Sequence, residues 1–323
     1  MAGEFDLIAR YFDWPARGAG VALNVGDDAA LLSLKAQHQL AVSVDTLVAG
    51  VHFPLDTPPA DIAHKALAVN ISDMAAMGAE PRWFTLALTL ENDNPQWLAA
   101  FSTGLKEAAT QYAVDLVGGD TTRGAQTITI QVMGEIEPEK ALKRSSAQVG
   151  DVIFVTNTLG DGAAGLAVHH AMQEADWQAS PGLSEAQAYC LSRLNRPTAR
   201  VPESRVIRRF AHAAIDVSDG LLQDLSHILK ASAVGATLNT DHLPLSEAVM
   251  SLYPKEQCLE FALTGGDDYE LLFTVAREQC TAFQAEMISH GLRCQAIGAI
   301  NEQSEKITDQ QGRLLSASGF QHF

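Results

Sequence analysis

The stretch Gln39-Leu40-Ala41-Val42-Ser43-Val44-Asp45-Thr46-Leu47-Val48 reads as a β-strand, because apolar residues alternate with small or polar ones along it. Leu40, Val42 and Val44 face one side, and Ala41, Ser43 and Asp45 the other, so the Ser43 and Asp45 side chains share a face. A helix over about 59–77 follows, with Pro near its start and Gly78 and Pro81 after its end. Ile62, Ala66, Val69 and Asp73 recur at helical spacing, which puts Asp73 on an apolar stripe where a carboxylate needs a partner. A strand over 83–90, a helix over 95–112 and strands near 114–117 and 127–136 complete this half. Strand-helix-strand-helix-strand-strand is an α+β pattern and predicts a ferredoxin-like N-terminal domain.

Further along, Pro138, Lys140, Lys143, Arg144, Ser145 and Ser146 interrupt the apolar patterns and divide the chain into domains over 1–140 and 150–323. The second half opens with a strand over 151–156, a Gly-rich turn and a helix from near Gly162. Helices over 184–193 and 203–211, a strand over 213–217, a helix over 220–231 and a strand near 269–275 predict an α/β C-terminal domain. Leu221, Leu225, Ile228 and Leu229 line one face of the helix after Gly220, and Ser218 or Asp219 stands where its cap belongs. Met74 and Met77 read as core residues.

A chain of 323 residues with 47% apolar and 19% charged residues is an ordinary globular protein with room for a sizeable core. Its 22 basic and 39 acidic residues give a net charge of −17, which argues against nucleic acid as the main partner. The four cysteines form neither a C-x-x-C pair nor a zinc spacing, so reduced thiols are expected. The start lacks a basic region and a long apolar run, and no stretch approaches the ~20 apolar residues of a membrane span. A cytoplasmic protein with no membrane partner is expected.

Carboxylates recur among small residues at Gly26-Asp27-Asp28-Ala29, Ser43-Val44-Asp45-Thr46, Ile71-Ser72-Asp73, Gly118-Gly119-Asp120-Thr121, Asp216-Val217-Ser218-Asp219-Gly220 and Gly265-Gly266-Asp267-Asp268. Each has a plainer reading: Asp27-Asp28 and Gly118–Thr121 as turns, Asp45 as a strand-end turn, Asp219 as a cap. If several converge, the fold must supply cations, since two carboxylates about 5 Å apart repel by roughly 3 kcal/mol at an effective dielectric near 20. Hard oxygen ligands favour Mg²⁺ or Ca²⁺ over zinc. No P-loop, dinucleotide fingerprint, nucleophile elbow or EF-hand register is present.

The order of these motifs, with Asp45–Phe53, Lys65–Ala79, Thr121-Thr122-Arg123, Arg144-Ser145, Tyr269-Glu270 and Gly319-Phe320-Gln321-His322-Phe323, closely resembles the thiamine-monophosphate kinase family. The resemblance runs over nearly the whole chain, from Gly3-Glu4-Phe5 onward. It implies a two-domain, aminoimidazole ribonucleotide synthetase-like architecture, a homodimer formed through the N-terminal domains, and a cleft for ATP and several Mg²⁺ ions. By similarity, Asp28, Ser43, Val44 (through its carbonyl), Asp45, Asp73, Asp120, Asp216 and Asp219 belong to the metal and nucleotide shell. Gly119, Asp120, Arg144 and Ser218 would contact ATP, and His52, Asp267 and Phe320 the thiamine phosphate. Asp45, Asp73, Asp120 and Arg144 would carry the catalysis. Two departures stand out: Asp267 where the family often has Glu, and Ala317 where it has an aromatic residue. The expected activity is ATP-dependent phosphorylation of thiamine phosphate; the alternatives are a related ATP-dependent ligase and a non-catalytic nucleotide or Mg²⁺ sensor.

Overall fold

A computed structural model describes residues 4–174, 182–316 and 319. The chain divides into two compact units, Met1–Ala75 with Ala79–Ala141, and Ala76–Gly78 with Leu142–Phe323.

The first unit runs α1 (Glu4–Tyr11), β1 (Val21–Leu23), β2 (Leu31–Leu32), β3 (Gln39–Val48), α2 (Pro59–Ala76), β4 (Glu80–Leu90), α3 (Pro95–Tyr112), β5 (Asp115–Arg123) and β6 (Thr127–Ile136). Its main sheet has the order β3-β6-β4-β5, antiparallel except for the β4–β5 pair. The apolar stripe of α2 is buried as its spacing requires, with Ile62, Ala66, Leu67, Val69 and Ile71 all closed to solvent. Helix α3 begins at Asn94, whose side chain accepts the N–H groups of Gln96 and Trp97. The outcome for β3 is less ordinary: Leu40, Val42 and Val44 are 45%, 50% and 57% exposed, while Leu47, at the same strand's end, is buried. Strand β5 is longer than its apolar residues suggest, because it continues through Gly118–Thr121 as a strand rather than a hairpin turn. Met74 is buried, but Met77 lies beyond the last turn of α2 and is exposed, against the expectation of a core residue.

The second unit runs β7 (Val152–Thr156), α4 (Asp161–Met172), α5 (Glu185–Asn195), α6 (Val201–Ile207), β8 (Ala211–Val217), α7 (Leu221–Ser232), β9 (Gly235–Leu238), α8 (Glu247–Leu252), α9 (Lys255–Thr264), β10 (Glu270–Val275), α10 (Cys280–Ser289), β11 (Cys294–Asn301), β12 (Ile307–Asp309) and β13 (Leu314–Leu315). Its seven strands form one sheet in the order β13-β12-β9-β11-β7-β10-β8, with β9 and β12 the parallel pair. Leu221, Leu225, Ile228 and Leu229 of α7 join Val155, Ile215, Val217 and Leu272 in one apolar core. That core fixes the strand ends from which the loops at 216–220 and 265–269 emerge. All four cysteines are free. Among the described residues, no helix is long and apolar enough to cross a membrane.

Candidate active site

In the first unit the acidic motifs fall into two groups. The loop between β1 and β2 and the middle of β5 meet at a cavity of about 400 Å³, lined by Gly26, Asp27, Asp28, Gly118, Gly119, Asp120 and Thr121, with apolar walls from Ile8, Phe12, Leu86 and Leu116. Ninety residues of sequence separate these motifs, and only the fold joins them. Gly119 is required by packing, since a Cβ there would lie 2.0 Å from the Leu86 carbonyl oxygen. The second group lies where β3 meets α2. There the Ser43 hydroxyl donates to Asp73 Oδ2 at 2.5 Å, and the Asp45 N–H donates to Asn70 Oδ1 at 3.0 Å. Asp73 thus finds the partner that its place on an apolar stripe demands. Asn70, one helical turn before it, escaped the sequence reading because an amide in an apolar run carries no obvious signal.

Strands β3 and β5 are opposite edges of the sheet, three strand spacings or about 14 Å apart. Their pairing partners put Asp120 on the face that carries Val44 and Thr46, not the face of Ser43 and Asp45. His52, after β3, accepts the Val48 N–H through Nδ1 at 2.9 Å, so the neutral ring carries its proton on Nε2.

In the second unit Asp216 lies buried one residue before the end of β8, and the residues after Val217 form a loop shaped by an unforeseen residue. The N–H groups of Ser218, Asp219 and Gly220 all donate to Asp224 Oδ2, at 3.0, 3.1 and 3.2 Å. Neither Ser218 nor Asp219 caps α7, contrary to expectation; the capping position is Gly220, and no side chain there bonds the helix. A carboxylate in the first turn serves those donors better, because it also meets the positive end of the helix dipole. The Ser218 and Asp219 side chains are thereby released from capping, with Gln223 Nε2 donating to Asp219 Oδ2 at 3.3 Å. Asp224 is 2% exposed, and burial pushes its carboxyl up to about 7 against the pull of the three amides. His227, a turn further on, is held below the usual histidine range by burial and by the Arg144 charge, with Asp219 opposing. Arg144, Asp219 and His227 therefore share one neighbourhood, with Arg144 itself exposed on a short 3-10 turn.

The Gly265–Tyr269 loop is laced to the one just described. The Asp267 N–H donates to the Ser218 carbonyl at 2.9 Å, and the Tyr269 N–H to the Val217 carbonyl at 2.8 Å. Asp268 is fully buried and accepts the N–H groups of Gly160 and Gly162, at 2.7 and 3.1 Å, where α4 begins. Burial pushes its carboxyl up to about 8, helped by Asp161. Next to it, buried Glu270 accepts from Thr156 Oγ1, Arg193 Nη2 and both Nε and Nη2 of Arg200 at 2.6–2.8 Å. Gly162 has no room for a side chain, because a Cβ would sit 2.6 Å from the Asp267 carbonyl oxygen. Phe320 lies outside the described residues.

The donor set offered by these motifs is entirely hard oxygen, which fits Mg²⁺. Among the described residues no three acidic, His or Cys side chains form a ready-made metal cage. Mg²⁺ is bound in just this way elsewhere, through one or two carboxylates with the remaining positions taken by water and substrate phosphates.

The fold and these motifs define the class. The family of AIR synthase related proteins matches the chain in both parts, its N-terminal domain over residues 26–136 and its C-terminal domain over residues 148–310. The thiamine-monophosphate kinase of Salmonella typhimurium is 45% identical over 99% of this chain and 98% of its own length. That of Escherichia coli K12 is 44% identical with the same coverage. The crystal structure of thiamine-monophosphate kinase from Stenotrophomonas maltophilia K279a is similar with a TM-score of 0.86 at 42% identity, covering 96% of this chain and 95% of that one. AaThiL complexed with AMPPCP and TMP is similar with a TM-score of 0.79 at 30% identity, covering 99% and 97%. The chain belongs to the thiamine-monophosphate kinase family.

Proposed function

We propose that this chain catalyses the last step of thiamine diphosphate biosynthesis in the cytoplasm. It transfers the γ-phosphoryl group of ATP to thiamine phosphate by direct in-line displacement, releasing ADP. Full-length identity above 40% with two thiamine-monophosphate kinases carries this reading. It gains support from AaThiL, a relative complexed with AMPPCP, which stands in for ATP, and with TMP.

The chemistry agrees. The acceptor is a phosphate whose second pKa is about 6, so its oxygen is already largely anionic at neutral pH and needs no general base. The difficulty is bringing two anions together, and bound Mg²⁺ supplies charge neutralisation and alignment. Asp28, Ser43, Asp45, Asp73, Asp120, Asp216 and Asp219, with the Val44 carbonyl, hold metal and nucleotide. Gly119 and Ser218 contact ATP, and Arg144 offsets charge on the transferring group. His52, Asp267 and Phe320 meet the acceptor. The working form is a homodimer joined through the first units, a reading supported by the exposed Leu40, Val42 and Val44 of β3.

Purified protein with MgATP and either thiamine phosphate or thiamine, the products resolved by chromatography, tests the proposal. Thiamine diphosphate should form from thiamine phosphate. Thiamine should be a poor acceptor or none, because its neutral hydroxyl must lose a proton and lacks the anionic group that is aligned with ATP. Comparable rates with both acceptors, or no diphosphate at all, would overturn it.

A further inference from the structure

Arg144 is exposed, and what its guanidinium can reach depends on the backbone that carries it. That backbone is the 3-10 turn Arg144–Ser146, set between extended Lys143 and Ala147, with Ser145 off helical geometry at φ −93° and ψ 18° and no side-chain cap at the start. So short a turn, with the poorer hydrogen bonds of 3-10 geometry, has little rigidity of its own. Ala147, just after it, is anchored in the apolar core that also holds α7. The last residue of α7 ties the exposed end of the turn to this anchored one. Ser232 Oγ donates to the Arg144 carbonyl at 2.8 Å and accepts the Ala147 N–H at 3.1 Å, so one hydroxyl closes the turn. A serine can do both because its oxygen is donor and acceptor at once, whereas an alanine side chain is neither.

The same helix holds the nucleotide loop at its other end, where Asp224 accepts the N–H groups of Ser218, Asp219 and Gly220. His227 lies between, about 7.5 Å back along the helix axis from Ser232. Burial, and after it the Arg144 charge, holds His227 below the usual histidine range, with Asp219 opposing. The Arg144 charge is thus felt back along α7, between the turn that Ser232 closes and the loop that carries Asp219.

We propose that Ser232 is a positioning residue for the nucleotide, acting through Arg144: its hydroxyl fixes the turn from which the guanidinium meets ATP. The inference rests on the kinase reading above, in which Arg144 contacts ATP. A serine that only fastened the end of α7 would affect both substrates alike.

The test is a cycle of Ser232→Ala, Arg144→Ala and the double variant in the full-length protein, with Ser232→Thr as the variant that keeps the hydroxyl. Dissociation constants for AMPPCP with Mg²⁺ are measured by calorimetry, alongside steady-state KM values for both substrates. Ser232→Ala should weaken AMPPCP binding about tenfold, the scale of the two hydrogen bonds it removes. The KM for thiamine phosphate should stay within about twofold. Ser232→Thr keeps donor and acceptor and should bind AMPPCP as the parent does. The double variant should bind no worse than Arg144→Ala alone, since a residue acting through another has nothing left to act on. Additive losses, equal losses for both substrates, or no loss in Ser232→Ala would overturn the proposal, as would a Ser232→Thr variant as weak as Ser232→Ala. A wild-type protein that binds AMPPCP but makes no thiamine diphosphate would refute the kinase reading, while the cycle in binding still decides Ser232. No binding of AMPPCP by the wild type would sink both.

Discussion

Asp73 is a carboxylate on a helix stripe that is otherwise apolar, and the bond it accepts from the Ser43 hydroxyl makes its place intelligible. If it and Asp45 hold metal, replacing either with Asn removes a charged ligand at the cost of several kcal/mol in the transition state. Asp45→Asn and Asp73→Asn should each lower turnover at least ~100-fold at limiting Mg²⁺ with unchanged circular dichroism. Near-normal rates in both would remove them from the metal shell. Asp224 invites a different experiment. Its folded pKa is raised by burial from 3.8 to about 7, so the folded state holds the proton more tightly than the unfolded chain. The stability this group contributes is therefore full below about pH 4 and is lost as pH rises toward 7, with a slope of at most about 1.4 kcal/mol per pH unit. Asp224→Asn keeps an oxygen for the three N–H donors and cannot ionise. Urea midpoints measured in EDTA between pH 4.5 and 8 should fall less steeply with pH in that variant than in the parent. Parallel curves would mean that Asp224 is ionised throughout. The motif Asp216–Gly220 was legible in the sequence, but its anchor was not, because the anchoring bonds run backward across the helix start.

On the scale of elements, β3 shows how far periodicity reaches. Alternation assigns Ser43 and Asp45 to one face and Leu40, Val42 and Val44 to the other, and the structure keeps those sets together. It also turns the apolar set outward. A strand period of two cannot say which face is inward, because a shift of one residue exchanges the two faces. An edge strand with three large aliphatic side chains in water is an aggregation hazard unless another surface covers it. A second copy of the first unit is the expected cover. Val42→Lys together with Val44→Lys should convert the protein to a monomer by light scattering on a sizing column, with the monomer still cooperatively folded. A parent that is itself monomeric at the same concentration would remove the dimer and leave the exposed strand unexplained. Strand β5 carries a similar lesson. The sequence ends the strand near Val117 and offers Gly118–Thr121 as a turn, but pairing with β4 carries the strand on, where the β4 backbone at Leu86 comes too close to position 119 for anything but glycine.

The molecule as a whole carries −17, and cations that bind its carboxylates would relieve part of that repulsion. Thermal midpoints should therefore rise in the order EDTA, Mg²⁺ alone and MgATP, because ligands that bind only the folded state stabilise it by mass action. Identical midpoints in all three would refute binding of metal and nucleotide by the folded chain, whatever the assay of turnover reports. Sequence alone determined the α+β class, the positions of most elements and the motifs that mark the chain's family. Those properties are local: a strand, an amphipathic helix or a Gly-Gly-Asp turn is written in a few consecutive residues. Tertiary structure alone decided which face of β3 is buried, that Asp28 and Asp120 share a cavity, and that Asp224 and Asp268 hold the loops of the second unit. Each of these depends on groups distant in sequence, or on bonds running against the local pattern, and only packing the whole chain brings such groups within a few ångströms of one another.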